Sequence, residues 1–589
     1  MASKQRTFGQ FETPADVADL LLAFCVRRAD DRVLDPSCGN GALLQRSARW
    51  QAWLNADEEG PSENLWGVEL DEDAADAARQ RLPRAHILHQ NFFTLEPDTP
   101  FDAIVGNPPY TRAEWIDRLQ EQAAKQLAMF DDDPPLDEER AKNPVIPPNL
   151  WQTIVNRRSG LHAYFLLHGA RFLRDGGRFG FVLPNNWLDV GYGKGLKRFL
   201  LEQFKIIALI ESTVERWFTN ARVNTCLVIL EKCEDPEARR GHLVRFVQLR
   251  QRLAQLLSFG SDHRARFSAV ETLLTRLLPA QDRTTESLRI RVVGQDSLRP
   301  TEKWGQLWRA PAVYRQVRRG AARRGLRPLK QWASVQRGYT TGANGFFYMD
   351  QATIEKWQIE PRFRRPLLKS LRGVQSLTPS PGGDLEVLVI QPTDSLAGTG
   401  AGAYVAWGQS QGFHERSTCQ SRDPWYALPH REPAALVLAK GIWERHFVPL
   451  LSDPVRVDQQ LYDIRLHPGV PPPVAAALLN SSWLALQLEL QGRVNFGEGV
   501  LWLAGYEVEN LLLPDPRTLD AGVAGELTRR FETIAGRPPA PDLATELARS
   551  DRQALDDVVF DLLALSPTEA TIIIETLLER VTARRQQSR

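Results

Sequence analysis

Two periods of apolar residues alternate along the first part of the chain. Short apolar runs, Val33-Leu34, Leu65 to Val68, Ile87-Leu88 and Ala103 to Val105, each stop near a polar side chain, while Ala15 to Phe24 has helical spacing and Asp71 to Arg81 reads as a helix. Strand, turn and helix repeated in this order predict an α/β fold. The polar stops matter most, because a buried strand ending in an acid or amide delivers that group to a fixed place on the sheet edge. Farther on, residues 236–330 are rich in arginine and leucine and predict a helical connector, 331–515 a mixed α/β domain, and 516–589 a helical segment. Its last helix starts at Ser566, a plausible N-cap before Pro567. The glycine-rich piece Leu396 to Gly412 reads as a surface loop.

Composition narrows the class. A chain of 589 residues is too long for one hydrophobic core, and 43% hydrophobic with 25% charged residues is the balance of a soluble globular protein. The net charge of +1 means that any nucleic-acid surface must be a local basic patch. Cys25, Cys38, Cys226, Cys233 and Cys419 stand apart with no CxxC pair, which argues against a disulfide framework or a zinc site. With no apolar run long enough to cross a bilayer and no signal-peptide pattern, a cytoplasmic protein without metal or membrane is expected.

Four strand ends carry candidate chemistry. Thr13 is the expected N-cap of the first helix, with Pro14 its first residue. Asp35-Pro36-Ser37-Cys38-Gly39-Asn40-Gly41 then has the layout of a nucleotide-type binding loop, or of a structural βα turn. It is neither GxGxxG nor a Walker loop, so phosphate is disfavoured and Asp35 suits a cationic ligand group. Glu69, with Leu70 beside it, ends the second strand where an acid can accept both hydroxyls of a ribose, although it also fits as a helix N-terminal acid. Asn91-Phe92-Phe93 offers an amide for an adenine edge and a ring to cover it, or two core rings. Phe101 to Tyr110 ends in Asn107-Pro108-Pro109-Tyr110, a polar cluster that the prolines stiffen. Asp35, Glu69, Asn91 and Asn107 thus share one edge, where ligands of open α/β sheets bind.

In this order the motifs resemble the γ class of S-adenosylmethionine-dependent DNA adenine-N6 methyltransferases of the restriction-modification type. The likeness extends over about residues 7–233, through Gly160 to Leu167, Phe172 to Trp187, and Trp217-Phe218 to Leu230, the last similar to the family's final hairpin. It implies a Rossmann-like class I methyltransferase domain over 1–235 and a DNA target-recognition domain over 331–515. Thr13, Pro14, Asp35, Pro36, Ser37, Cys38, Gly39, Gly41, Glu69, Leu70, Asn91, Phe92 and Asn107 would hold S-adenosylmethionine. Asn107, Pro108, Pro109 and Tyr110 would form the catalytic motif, and Tyr110 with Phe218 would sandwich a flipped base. Two departures stand out: Asn91 replaces the Asp of many relatives, and Asp131 to Arg158 is an insertion.

The chemistry follows from the amine. The adenine N6 lone pair is delocalised into the ring, and accepting both amine hydrogens at the Asn107 oxygen and the Pro108 carbonyl stabilises charge as nitrogen attacks a methyl group. The base must leave the duplex to get there. Cytosine N4 methylation is an alternative, as are a bifunctional restriction-methylation protein, a non-catalytic specificity subunit, and methylation of RNA or of a protein glutamine. Duplex DNA is the expected partner, with room for a separate restriction endonuclease or defence-system subunit. The basic runs Arg315 to Lys330 and Arg362 to Arg372 are phosphate-contact candidates or solvated charge, and Val335 to Tyr348 is expected to form an exposed strand-loop-strand.

Overall fold

The computed structural model describes residues 12–55, 62–111, 154–155, 159–189, 191–218, 224–257, 263–379, 385–494 and 499–586. The chain divides into two compact units, Met1–Arg309 and Ala310–Arg589. The insertion Asp131 to Arg158 lies outside the described residues apart from Ile154 and Val155.

The N-terminal unit is built on a ten-stranded sheet in the order β3-β2-β1-β4-β5-β7-β6-β8-β10-β9. These strands are β1 (Val33–Asp35), β2 (Leu65–Glu69), β3 (His86–His89), β4 (Phe101–Gly106), β5 (Leu173–Pro184), β6 (Phe204–Ser212), β7 (Thr225–Lys232), β8 (Leu243–Leu249), β9 (Arg283–Thr284) and β10 (Leu288–Gly294). β1 to β5 run parallel, and β7 is antiparallel to both β5 and β6. Helices α1 (Ala15–Cys25) and α2 (Leu161–Gly169) belong to two separate apolar clusters, each shared with sheet residues, and both helices are apolar nearly all round. Glycines set their distance from the sheet. A Cβ at Gly180 of β5 would stand 2.4 Å from Cys25 Sγ of α1, and one at Gly169 of α2 would stand 3.0 Å from the Phe179 ring.

Three segments differ from what their sequence predicts. α1 begins at Ala15 with Pro14 as its extended N-cap residue and no side-chain cap, so Thr13 does not cap it. Residues 236–330 are not a helical connector: β8 and β10 pair antiparallel and extend the sheet, and the division between units falls at Arg309. The arginines misled the reading because in β10 half-buried Arg289 and Arg291 alternate with buried Leu288 and Ile290, which is a strand's period of two. Leu396 to Gly412 is not a bare loop either, since Gly400–Ser410 is a helix capped by Thr399. Its Tyr404 stacks on Phe346 at 4.8 Å, and Gly408 lies so close to the Phe346 ring that a Cβ would stand 2.3 Å from it.

The C-terminal unit holds a seven-stranded sheet in the order β12-β19-β16-β18-β14-β15-β13. Its strands are β12 (Ala333–Arg337), β13 (Tyr348–Asp350), β14 (Arg364–Leu368), β15 (Leu385–Leu388), β16 (Ala434–Ala439), β18 (Leu450–Val457) and β19 (Leu461–Leu466). Two small sheets accompany it, one of β11 (Leu326–Pro328) and β22 (Leu512–Pro514), the other of β17 (Gly441–Ile442), β20 (Arg493–Val494) and β21 (Leu501–Trp502). Val335 to Tyr348 carries a short helix, Asn344–Phe347, and its rings Phe346 and Phe347 are buried rather than exposed. Residues after Pro516 form helices Ala521–Ala535, Leu543–Leu547, Ser550–Leu562 and Pro567–Gln586, whose Leu527, Phe531, Val559 and Leu577 share one core with Leu436 and Ile464 of the sheet.

Candidate active site

β1 and β4 are neighbours, with Val33 opposite Ala103 and Leu34 opposite Ile104. The chain runs outward from β1 to β2 and β3, then returns to β4 on the other side, so the ends of β1 and β4 flank the point where strand order reverses. Gly106 closes β4 there. A Cβ on it would stand 3.2 Å from Asp35 Oδ1 and 2.9 Å from the Phe181 ring, so glycine lets the backbone just before Asn107 lie against the Asp35 carboxylate.

Asp35 is buried, and its Oδ1 accepts the Ser37 N–H at 3.1 Å. Burial, with a smaller push from the Glu69 charge, raises its carboxyl to about 7 against the pull of the Ser37 N–H. Pro36 is buried, and the Cys38 N–H donates to the Val68 carbonyl at 3.0 Å, pinning the loop to β2. Gly39 and Gly41 have φ of +53° and +78°, the region that favours glycine, and nothing lies within 4 Å of where a Gly39 Cβ would be.

Glu69 is buried and accepts three backbone N–H groups. Its Oε2 accepts the Gly39 N–H at 2.9 Å, and its Oε1 accepts those of Leu70 and Asp71 at 2.8 and 2.9 Å. Burial pushes this carboxyl up while those donors pull it down. The acid therefore ties the glycine loop to the start of helix Glu72–Arg81, which Asp71 caps, and its oxygens keep lone pairs for further donors. Leu70 beside it is 47% exposed, an open apolar side chain at the site's edge. Asn91 Oδ1 accepts the Phe93 N–H at 3.0 Å and caps the turn Phe92–Thr94. Phe92 is a core ring, 3% exposed, stacked on Phe165 at 5.6 Å and packed on Phe172 and His168, so the expected ring face over the cofactor is not offered here. A buried acid facing the β4 end, a second acid with acceptor capacity, an open glycine backbone and an exposed leucine together fit a ligand that brings a cation, a sugar diol and a flat apolar ring.

At the end of β4, Asn107, Pro109 and Tyr110 are half-buried and Pro108 is buried. The Tyr110 hydroxyl lies 2.6 Å from Asn107 Oδ1 and 3.4 Å from the Val182 carbonyl of β5. Phe218, in the loop between β6 and β7, meets Tyr110 edge to face, ring centres 6.1 Å apart at 83°. The two rings are together as expected, yet they close on each other; parallel faces with a base between them need roughly 7 Å of separation. Thr13 is half-buried just ahead of α1.

A charged network behind the site was missed. Arg309, at the end of the N-terminal unit, donates to Asp189 Oδ2 at 3.0 Å and Glu211 Oε2 at 3.2 Å. Glu211 also accepts from Gln248 at 2.8 Å and from Asn185, which directly follows β5, at 3.4 Å. No local pattern could reveal it, since the arginine stands 98 and 120 residues from its acids. Among the described residues no group of three His, Cys, Asp or Glu could hold a metal ion, and no helix is long and apolar enough to cross a membrane.

Residues 1–257 match the N-6 DNA methylase family, and 301–535 match the C-terminal domain of the type II methyltransferase M.Eco57I. Residues 1–257 are therefore a domain like those of the N6 DNA methylases. The chain's activity is DNA adenine-N6 methyl transfer. The methylase is 22% identical over 443 residues to the type II methyltransferase M.AccI of Acinetobacter calcoaceticus, covering 73% of its own length and 71% of that protein's. To the type II methyltransferase M.XamI of Xanthomonas campestris pv. amaranthicola it is 22% identical over 537 residues, covering 87% and 86%. Among solved structures, the methylase resembles the type IIL restriction-modification enzyme MmeI in complex with DNA, with a TM-score of 0.55 at 13% identity over 97% of this chain and 75% of that one. At that identity the likeness speaks for the fold alone.

Proposed function

We propose that this methylase moves a methyl group from S-adenosylmethionine to N6 of an adenine flipped out of a specific duplex DNA sequence, as the modification activity of a restriction-modification or phage-defence system. The observation that carries the reading is the meeting of Asp35 and the Asn107 strand end across Gly106, at the switch point of the sheet. S-adenosylmethionine, when bound, supplies an activated methyl group on a sulfonium. Asp35 would hold its cationic side, Glu69 its ribose hydroxyls, Gly39 and Gly41 its close approach to the backbone, and Leu70 its base.

The remaining steps belong to the chain's own residues. Asn107 Oδ1 and the Pro108 carbonyl accept the two amine hydrogens, and the fixed φ of proline keeps that carbonyl aimed. For the base to enter, the Tyr110 ring turns from its edge-on contact with Phe218 and its hydroxyl leaves Asn107; ring faces then cover the base and exclude water. No side chain bonds covalently to the substrate. Methylation-sensitive sequencing of DNA from cells expressing the protein tests this. N6-methyladenine at one short motif is the expected result, and N4-methylcytosine or unmodified DNA would overturn it.

A further inference from the structure

The C-terminal unit carries a cluster of charges that methyl transfer itself does not use. In its sheet Gln336 of β12, Asp463 of β19 and Val437 of β16 stand opposite one another, so their side chains share a face. Ser334 and Arg465 form the next pair on that face. Asp463 is 3% exposed. Arg465 donates to its Oδ2 through Nε at 2.9 Å and Nη2 at 2.6 Å, while Oδ1 stays buried with no hydrogen-bond partner. Burial pushes the Asp463 carboxyl up, and Arg465, Arg431 and Arg456 pull it back, so three guanidinium groups lie within electrostatic reach of one acid.

The arginines come from different segments. Arg431, just before β16, lies 5.4 Å over the Tyr339 ring and donates to the Arg337 carbonyl. Arg456 of β18 lies within electrostatic reach of the Tyr339 hydroxyl, which donates to the Pro429 carbonyl at 3.2 Å. Arg337 of β12 is tied to Gln459 and is exposed. Glu432, a further carboxylate within reach of Arg456, is paired to His430. Gathering like charges costs energy that one shared carboxylate offsets only in part, and an added anion relieves the rest. Planar guanidiniums already ordered by neighbours match phosphate oxygens at little entropic cost.

We propose that Arg431, Arg456 and Arg465, gathered around Asp463 in the seven-stranded sheet, clamp the phosphate backbone of duplex DNA. The proposal rests on the reading that the methylase acts on duplex DNA and names where the C-terminal unit grips it.

The test is fluorescence anisotropy of the full chain with a labelled 30-base-pair duplex, titrated in salt. Each phosphate contact adds about 0.9 to the slope of log affinity against log salt. Arg431→Ala with Arg456→Ala is expected to lower affinity at least tenfold at low salt and to flatten the slope by about 2. Arg431→Lys with Arg456→Lys keeps the charges and should restore most of the slope, which separates charge loss from misfolding. An alanine variant with the wild-type slope, or a lysine variant as flat as the alanine one, overturns the clamp. Wild-type binding without methyl transfer would overturn the catalytic reading instead, leaving the clamp standing.

Discussion

The Tyr110 hydroxyl sits 2.6 Å from Asn107 Oδ1, the atom that the proposed chemistry needs as an acceptor. The resting site therefore has its acceptor partly occupied and its ring pair shut.

Tyr110→Phe keeps the ring and removes the hydroxyl. A neutral hydrogen bond is worth about 1 kcal/mol net, so base entry should become easier by up to roughly fivefold, seen as a lower KM for DNA. Tyr110→Ala loses base stacking worth about 1–3 kcal/mol and should raise KM or lower kcat by ten- to a hundredfold. A phenylalanine variant as impaired as the alanine one would show that the hydroxyl itself takes part in the reaction.

Asn107→Ala removes an acceptor used only as charge develops. Methyl transfer should fall by at least a hundredfold while cofactor binding, followed by calorimetry, stays within a few-fold. Undiminished transfer would sink the assignment of this residue.

Asp35 makes binding and stability depend on pH. Its folded pKa, about 7, lies above the value of an unfolded aspartate, so the stability it contributes is full below about pH 4 and is lost as pH rises toward 7. A cation at the carboxylate favours the charged form and expels the proton. Affinity for S-adenosylmethionine should therefore weaken below about pH 7, and calorimetry in two buffers of different ionisation heat should register proton release. Asp35→Asn should abolish that pH dependence, bind the cofactor poorly, and resist denaturant better than wild type at pH 8.

Gly106→Ala tests the close approach at the strand end. The new methyl group would meet Asp35 and the Phe181 ring, and overpacking of this kind costs about 1–3 kcal/mol. Cofactor affinity should drop about tenfold or more, with Gly39→Ala, whose Cβ has open space but whose φ is positive, showing a strain effect instead.

Arg309→Ala leaves Asp189 and Glu211 without their shared cation. Breaking a buried pair costs about 3–5 kcal/mol, so urea denaturation of the N-terminal unit should shift to clearly lower concentration. Arg309→Lys should recover only part of it, because one ammonium cannot serve both acids as the guanidinium fork does.

The sequence made the catalytic half legible because each site residue closes a short apolar strand, as Asp35 closes β1 and Glu69 closes β2. Which of two roles such a residue plays was not legible. Phe92 went to the core because Phe165, His168 and Phe172 come from a helix and turn some seventy residues away and fill its surroundings. Arg289 and Arg291 hid a strand inside a stretch that looked helical by composition, and Gly400 and Gly408 hid a helix that needs glycine for close packing. Long-range pairs such as Arg309 with Glu211 leave no trace in local spacing.

Glu69 fastens three backbone N–H groups on both sides of the site, and that arrangement limits what genetics alone can say about it. Any substitution there changes loop shape and ligand contact in a single stroke, so a dead Glu69 variant would name no role. Chemistry on the ligand side separates the two: a cofactor analogue lacking its ribose hydroxyls, offered to the intact protein, removes the contact and leaves the loop as it was.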